Sequence, residues 1–297
     1  MYSDISSNKR RTWVLIAIMS VIVIGLSWLI GAMYHMDAGS SIIIGTMIAT
    51  VYSLISYYAS SSIALSVSGA KPIVKAQAPD IYNVVENLCI ANGQPTPAIY
   101  IIEDPSPNAF ATGRDPEHAS IAFTTGILAL LTRQELEGVA AHELSHVKNY
   151  DIRVMTIVVV LVGLISLIAD VLIHFRIGRG DNKGGNAALI LMIVGIVLAI
   201  LSPLFAQLIQ LAISRSREYL ADASGALLTR YPEGLASALA KIEAHGVPMK
   251  DANHATAHLF LSNPFGAKKE SRSWFANLFS THPPMNERIA RLRNMGR

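Results

Sequence analysis

Four long apolar stretches govern what this chain can fold into. They run from Trp13 to about Met33, from Ile42 to Val67, from Val154 to Phe175 and from Ala187 to Ile213. A bilayer core takes roughly 20 apolar residues as one helix, and backbone groups in hydrocarbon find partners only in helices or closed barrels. Each stretch is long enough. The third is broken only by Asp170 and His174 near its end, and the fourth carries no charge but holds Pro203, Gln207 and Gln210. Pro203 predicts a kink, and the two glutamines a polar stripe turned toward other helices. Only 15% of the 297 residues are charged, against about 25% in an ordinary soluble domain. The chain therefore reads as an α-helical multi-pass membrane protein with four spans. The first stretch is too long for a signal-peptide core and lacks an obvious small-residue cleavage site, so it reads as a retained anchor.

Orientation follows basic residues. Lys9, Arg10 and Arg11 precede the first span, and the loop Gly31–Ser41 has no lysine or arginine. This places the N-terminus in the cytoplasm of a cell membrane and, by parity, residues 69–153 and 214–297 on the same side. Arg176, Arg179 and Lys183 in the third loop argue the other way. The N-terminal signal weighs more, because the first helix usually sets orientation. The chain then divides into an N-terminal tail with two membrane helices (1–68), a first soluble part (69–153), a membrane hairpin (154–213) and a second soluble part (214–297). A net charge of +3 is too small to point to a nucleic-acid partner. The single cysteine, Cys89, excludes an internal disulfide framework and reads as a buried thiol on a helix.

The soluble parts mix helix with a little strand. Asp80 to Asn92 is a predicted amphipathic helix stopped by Gly93. Ala98–Glu103 has strand character. Asn108–Gly113 and Ala119–Thr125 read as two strands around the turn-rich Arg114–His118. Thr132 followed three residues later by Glu135 forms a capping box. Ser214–Leu228 and Glu233–His245 read as helices, Asn263–Ser280 as loop and Pro284–Met295 as a terminal helix. Lys268, Lys269 and Arg272 beside Trp274 and Phe275 suit either a solvated loop or contact with lipid headgroups.

The helix begun by the capping box contains His142-Glu143-Leu144-Ser145-His146. Residues four apart share a helix face, so both imidazoles can reach one metal ion with Glu143 beside them. Catalytic zinc takes three protein ligands and keeps a fourth position for water; a glutamate in this pattern acts as general base. Val139-Ala-Ala before the motif supplies small residues for close packing. The alternative is a surface helix with two solvated histidines.

A third ligand is required. A histidine six residues after His146 is absent, since that position is Ile152. Asp170, 24 residues on, would lie about 36 Å away along a straight helix. Glu218 is the best candidate. It stands four residues before Asp222, and like charges at that spacing repel unless a cation lies beside them. Zinc on Glu218, with Asp222 bracing a ligand histidine through its second nitrogen, removes the conflict. The alternative is pairing with Arg215 or Arg217 on a solvated helix. Charge developing on the substrate oxygen needs a further donor. His282 fits by type, with Pro283-Pro284 fixing the backbone after it. Arg288 could serve instead, or pair with Asp222, and His282 could simply cap the last helix.

With these motifs the chain resembles the HtpX-type membrane zinc proteases, relatives of the CAAX-processing zinc proteases. The resemblance covers nearly the whole chain: two anchors, the H-E-L-S-H helix, a membrane hairpin, the Glu218-x-x-x-Asp222 helix and Thr281–Pro284. It implies a mainly α, α+β gluzincin-like zinc peptidase domain. One zinc ion is held there by His142, His146 and Glu218, and Glu143 is the base. It also implies that Asn108-Ala109-Phe110-Ala111 is a strand lining the cleft, and that the activity is quality control of damaged or misassembled membrane proteins from the cytoplasmic side. We expect this strand to be an edge that pairs with an extended substrate. Three rivals remain at this point. An intramembrane protease would bury the motif in lipid, but Glu135, Glu137, Lys148, Asn149, Asp151 and Arg153 flank it. A catalytically silent membrane chaperone of the same fold would not need Glu143. A transporter would carry ionisable residues at mid-span, whereas Asp170 and His174 lie near a span end.

Overall fold

Residues 2–174, 193–195, 215–253, 255–266 and 283–295 are described by the structure, a computed structural model. The first helix, α1 (Tyr2–Met33), begins well before Trp13. The N-terminal segment expected as a tail is thus helical. The reason is tertiary: Asn8 and Thr12 are buried. Asp37 then caps α2 (Ala38–Tyr58) by accepting the Ser40 N–H at 2.9 Å. The two helices pack closely, since a Cβ on Gly45 would meet Ser27 Cβ at 2.7 Å and Ile24 Cα at 3.0 Å. Small residues of this kind let membrane helices approach. The second apolar stretch is not one helix. It breaks at Ala59, before α3 (Ser60–Val67), where three serines in a row favour a helix start.

Among the described residues, three helices are long and apolar enough to cross a membrane: Ile5–Ala32, Ala38–Tyr58 and Asp151–Asp170. The third belongs to α7 (Asp151–His174). Of its most apolar part 72% is buried, against 22% and 17% for the other two, so α7 is the central post. Tyr52 of α2 donates its hydroxyl to the Val160 carbonyl of α7. The expected fourth span, 187–213, and the basic loop before it lie outside the described residues, apart from a helical piece at 193–195. The segment with Lys268, Lys269, Arg272, Trp274 and Phe275 lies outside them as well.

An aromatic and basic belt rings one end of this bundle. Trp13 stacks on Tyr57 with centroids 5.8 Å apart. The Arg153 guanidinium lies 5.5 Å from the Tyr57 ring and 5.0 Å from that of Tyr150, and Arg114 lies 5.3 Å from Tyr58. Such rings favour the level of the headgroups.

Beyond the belt, a four-stranded sheet carries helices. Its strands are β1 (Lys71–Pro72), β2 (Ala98–Ile102), β3 (Ala109–Gly113) and β4 (Ala119–Thr124), in the order β1-β2-β4-β3. β2 runs parallel to β4, and β3 pairs antiparallel with it, Ala109 facing Phe123. Between β1 and β2, α4 (Pro79–Asn92) ends at Gly93 in a left-handed conformation with φ 65°, a conformation open to glycine at little cost. After β4 and the short α5 (Thr125–Leu130) comes α6 (Arg133–Lys148), buried on nearly all sides. α6 does not run on into α7. Asn149 caps it, and Tyr150 turns the chain with φ 59°. Then come α8 (Arg215–Thr229), α9 (Pro232–His245) and α10 (Met285–Met295). Val85, Ile99, Ile121, Phe123, Val139 and Leu144 join Leu235, Leu239 and Leu292 in one core. This core unites residues that precede α7 with residues of α8, α9 and α10, and Cys89 is buried in it.

Candidate metal centre

The metal-type residues sit on α6 because its start is fixed. The Thr132 hydroxyl accepts the Glu135 N–H, and the Glu135 carboxylate accepts the Thr132 N–H at 2.8 Å. From this capping box the helical repeat carries His142 and His146 to one face. Their rings stand edge to face with centroids 4.8 Å apart, and their Nε2 atoms are 3.2 Å apart. α8 runs alongside, and at Gly225 it approaches the α6 backbone so closely that a Cβ there would lie 3.0 Å from the His142 nitrogen. Two turns earlier on α8, Glu218 places carboxylate oxygens 3.9 Å from His142 Nε2 and 3.4 Å from His146 Nε2. His142, His146 and Glu218 are all buried and form a group that can hold a metal ion. A tetrahedral ion bonded at about 2.0–2.1 Å needs donor atoms roughly 3.3 Å apart, and the three observed separations bracket that value. The residues fit a metal.

Each ligand-type histidine rests on a carboxylate. His142 Nδ1 lies 2.9 Å from Asp222 Oδ1, and His146 Nδ1 lies 3.1 Å from Asp151 Oδ2. These contacts occupy Nδ1 and leave Nε2 for a metal. Burial would push the Asp222 carboxyl up, yet the Arg288 charge and hydrogen bonds from His142 and Arg288 hold it down at about 2. Arg288, fully buried, donates from Nε and Nη2 to Asp222 at 2.9 and 2.7 Å, with Nη1 3.6 Å from Glu218. Arg288 thus relieves the repulsion between Glu218 and Asp222. Arg217 pairs with Asp151 at 3.3 Å. Burial pulls the His146 imidazole down, but the Asp151 hydrogen bond and the carboxylates of Glu218, Asp151 and Glu143 raise it to about 9. Surroundings that favour positive charge so strongly suit a cation.

Glu143, also buried, lies where β3 meets α6. Burial pushes its carboxyl up and Glu218 adds to this, while His142, His146 and the Ala111 N–H pull it down. β3 is the edge of the sheet, but three of its outer groups already have partners. Ala109 O accepts the Leu261 N–H at 2.9 Å, the Ala111 N–H reaches Glu143, and the Gly113 N–H donates to Thr156 Oγ1 at 3.2 Å. Asn108 holds Ser262 from both sides: its Nδ2 donates to Ser262 O at 2.9 Å, and its Oδ1 accepts the Ser262 N–H at 3.1 Å. Phe110 is buried against Phe260, centroids 5.1 Å apart. His282 lies outside the described residues. His258 is buried with Nε2 2.8 Å from the Met155 carbonyl.

Sequence reasoning missed three residues of this centre: Asp151, Arg217 as its partner, and Asn8. Asn8 Nδ2 lies 2.7 Å from Asp151 Oδ1 and 3.0 Å from the Asn149 carbonyl, and the Arg217 guanidinium donates to Asn8 Oδ1. The available signal was a carboxylate five residues after the second histidine, just past the helix end.

Comparison with known proteins identifies the family of the chain. The pattern of peptidase family M48 matches residues 75–296. The protease HtpX homolog of Tropheryma whipplei (strain Twist) is 46% identical over 296 residues, covering 100% of this chain and 99% of that one. The protease HtpX homolog of Dictyoglomus turgidum is 46% identical over 297 residues, covering 99% and 95%. The crystal structure of S. mikatae Ste24p shares the fold, with a TM-score of 0.50 at 19% identity over 95% of this chain and 66% of that chain. A family pattern spanning β2 to β4, the helix of His142 and His146 and the helix of Glu218, together with relatives aligned end to end, makes this chain a member of peptidase family M48 and a membrane metalloprotease.

Proposed function

We propose that the chain is a zinc-dependent endopeptidase that cuts membrane or misfolded proteins at the cytoplasmic face of the cell membrane, as part of membrane-protein quality control. The observation that carries this reading is the triangle of His142, His146 and Glu218, with each histidine braced by a carboxylate. Zinc suits a His-His-Glu donor set with room for a fourth ligand, and when bound it supplies Lewis acidity that makes water nucleophilic near neutral pH. Glu143 takes the proton of the attacking water and passes it to the leaving amine. Its raised proton affinity favours such shuttling. His282 donates a hydrogen bond to the oxygen on which negative charge develops, since Arg288 already spends Nε and Nη2 on Asp222.

The substrate lies extended along Asn108–Ala111. This assignment rests on β3 being an edge strand and on the Ala111 amide reaching Glu143. An entering peptide exchanges its own main-chain bonds for the Leu261 contact, while Asn108 shapes the margin through Ser262. Residues 69–153 and 214–297 make one gluzincin-like catalytic domain, the second part supplying the third ligand, and 1–68 and 154–213 supply four membrane spans in all. Two spans between His146 and Glu218 return both to one side. Lys9, Arg10 and Arg11 support a cytoplasmic site. The Tyr150 and Arg153 belt, a few residues from His146, supports cleavage close to the bilayer.

The test compares native chain with Glu143→Gln on an unfolded protein substrate, with metal content measured on both. Equal metal and a loss of cleavage of roughly 10²–10⁴-fold are expected. Substantial turnover by the variant would refute Glu143 as base.

A further inference from the structure

We infer that the first membrane helix completes the metal centre: Asn8 on α1 holds the Asp151 carboxylate, which in turn orients His146. The inference rests on the zinc reading above. Asn8 is 1% exposed although it lies directly before three basic residues near the chain's start. Its side-chain amide is almost fully used. The two Nδ2 hydrogens go to the Asn149 carbonyl at 3.0 Å and to Asp151 Oδ1 at 2.7 Å, and its Oδ1 accepts from Arg217 Nη1.

Asp151 is divided between two tasks. Oδ1 faces Asn8 and Arg217, the latter at 3.3 Å, and Oδ2 faces His146 Nδ1 at 3.1 Å. A buried carboxylate that braces a metal ligand must itself be held, because few waters can reach it and its torsion would otherwise drift. Arg217 neutralises Asp151, while Asn8 supplies a second, directional bond and ties the turn between α6 and α7 through the Asn149 carbonyl. That turn has left-handed φ at Tyr150, so an anchor on the carbonyl before it is well placed to hold it. The anchor helix is therefore a structural part of the catalytic centre, and the metal affinity depends on how its cytoplasmic end is seated.

Asn8 is a positioning residue and touches no reacting atom, so the test reads metal binding. Full-length native protein in detergent, Asn8→Ala, Asp151→Asn and the double variant are titrated with zinc against a chelator and, separately, loaded with cobalt for visible spectra. Thr12→Val serves as control: Thr12 is buried on the same helix end and bonds only the Asn8 carbonyl among the hydrogen bonds described, at 3.0 Å. Asn8→Ala is expected to weaken zinc binding about 10-fold, the low end for partners of a ligand, and to shift the cobalt bands. In the Asp151→Asn background the same change should cost little more, because the two act in series. The control should stay within about 2-fold of native. Native affinity and an unchanged cobalt spectrum in Asn8→Ala overturn the inference. So does a loss that adds in full to that of Asp151→Asn, which would mark general destabilisation. If Asn8→Ala does not fold, Asn8→Ser, which retains a donor, should show a smaller but measurable loss, and native affinity there overturns the inference equally. If the native chain takes up neither metal, the zinc reading fails and this inference falls with it.

Discussion

Replacing Gly225 by alanine isolates how Glu218, the proposed third ligand, is delivered. The added Cβ would lie 3.0 Å from His142 N, 3.2 Å from Ala141 C and 3.3 Å from His142 Cα. All three are backbone atoms of α6, so no side chain can swing away. Restoring ordinary contact at 3.4 Å requires α8 to retreat by 0.1–0.4 Å. Glu218 sits two turns away on the same helix and moves with it. Ligand distances tolerate about ±0.2 Å, so the larger part of that range strains the Glu218 bond. Overpacking costs about 1–3 kcal/mol, offset by about 1 kcal/mol for alanine over glycine in a helix. The fold without metal should thus lose no more than about 2 kcal/mol, while metal affinity drops about 10-fold, or 1.4 kcal/mol. Chelator competition gives the affinity, and thermal unfolding of the metal-stripped protein gives the stability. Native affinity in Gly225→Ala would show that the close approach of α6 and α8 does not set the ligand triangle.

Three further outcomes follow from the same account. Glu135 receives bonds from Thr132, Ser237 and Lys241 that hold its carboxyl at about 2 against burial. Its stabilisation should be complete above its unfolded value near 4.5 and lost as pH falls toward 2. Discounted for the exposed Lys241, Glu135→Gln should cost roughly 2 kcal/mol at pH 7 and only a small remainder at pH 2, as read by thermal unfolding across that range. His282→Ala should keep zinc and lower turnover roughly 10²–10³-fold with little change in KM; near-native turnover would leave His282 structural and move the donor role to Arg288. Single cysteines at Ser40 and Asn182 should react with an impermeant reagent added outside intact cells, and protection of both until lysis would reverse the proposed orientation.

Local signals in the sequence were strong where chemistry is local. Thr132 and Glu135 set the start of α6, Gly93 and Gly246 mark left-handed helix ends, and the four-residue spacing of His142 and His146 shows a shared face. Glu218 and Asp222 were legible because two carboxylates one turn apart demand an explanation. The cation beside them was not settled: Arg288 stands 66 residues from Asp222, and several arginines fitted equally. Asn8 and Asp151 meet across 143 residues, a tertiary contact that no spacing announces. Tyr150 turns left-handed without the glycine that would have flagged it. Apolar length located the three helices long enough to span among the described residues but not the break at Ala59, since hydropathy reports burial and lipid, not helix continuity.

The most direct test of the central claim is X-ray absorption at the zinc edge on purified native protein and Glu218→Ala, with metal content measured on the same samples. The account predicts one zinc per native chain, with two imidazole nitrogens and a carboxylate oxygen at about 2.0–2.2 Å, and a large loss of zinc in the variant. A zinc shell without imidazole, or full zinc and an unchanged shell in Glu218→Ala, would contradict it.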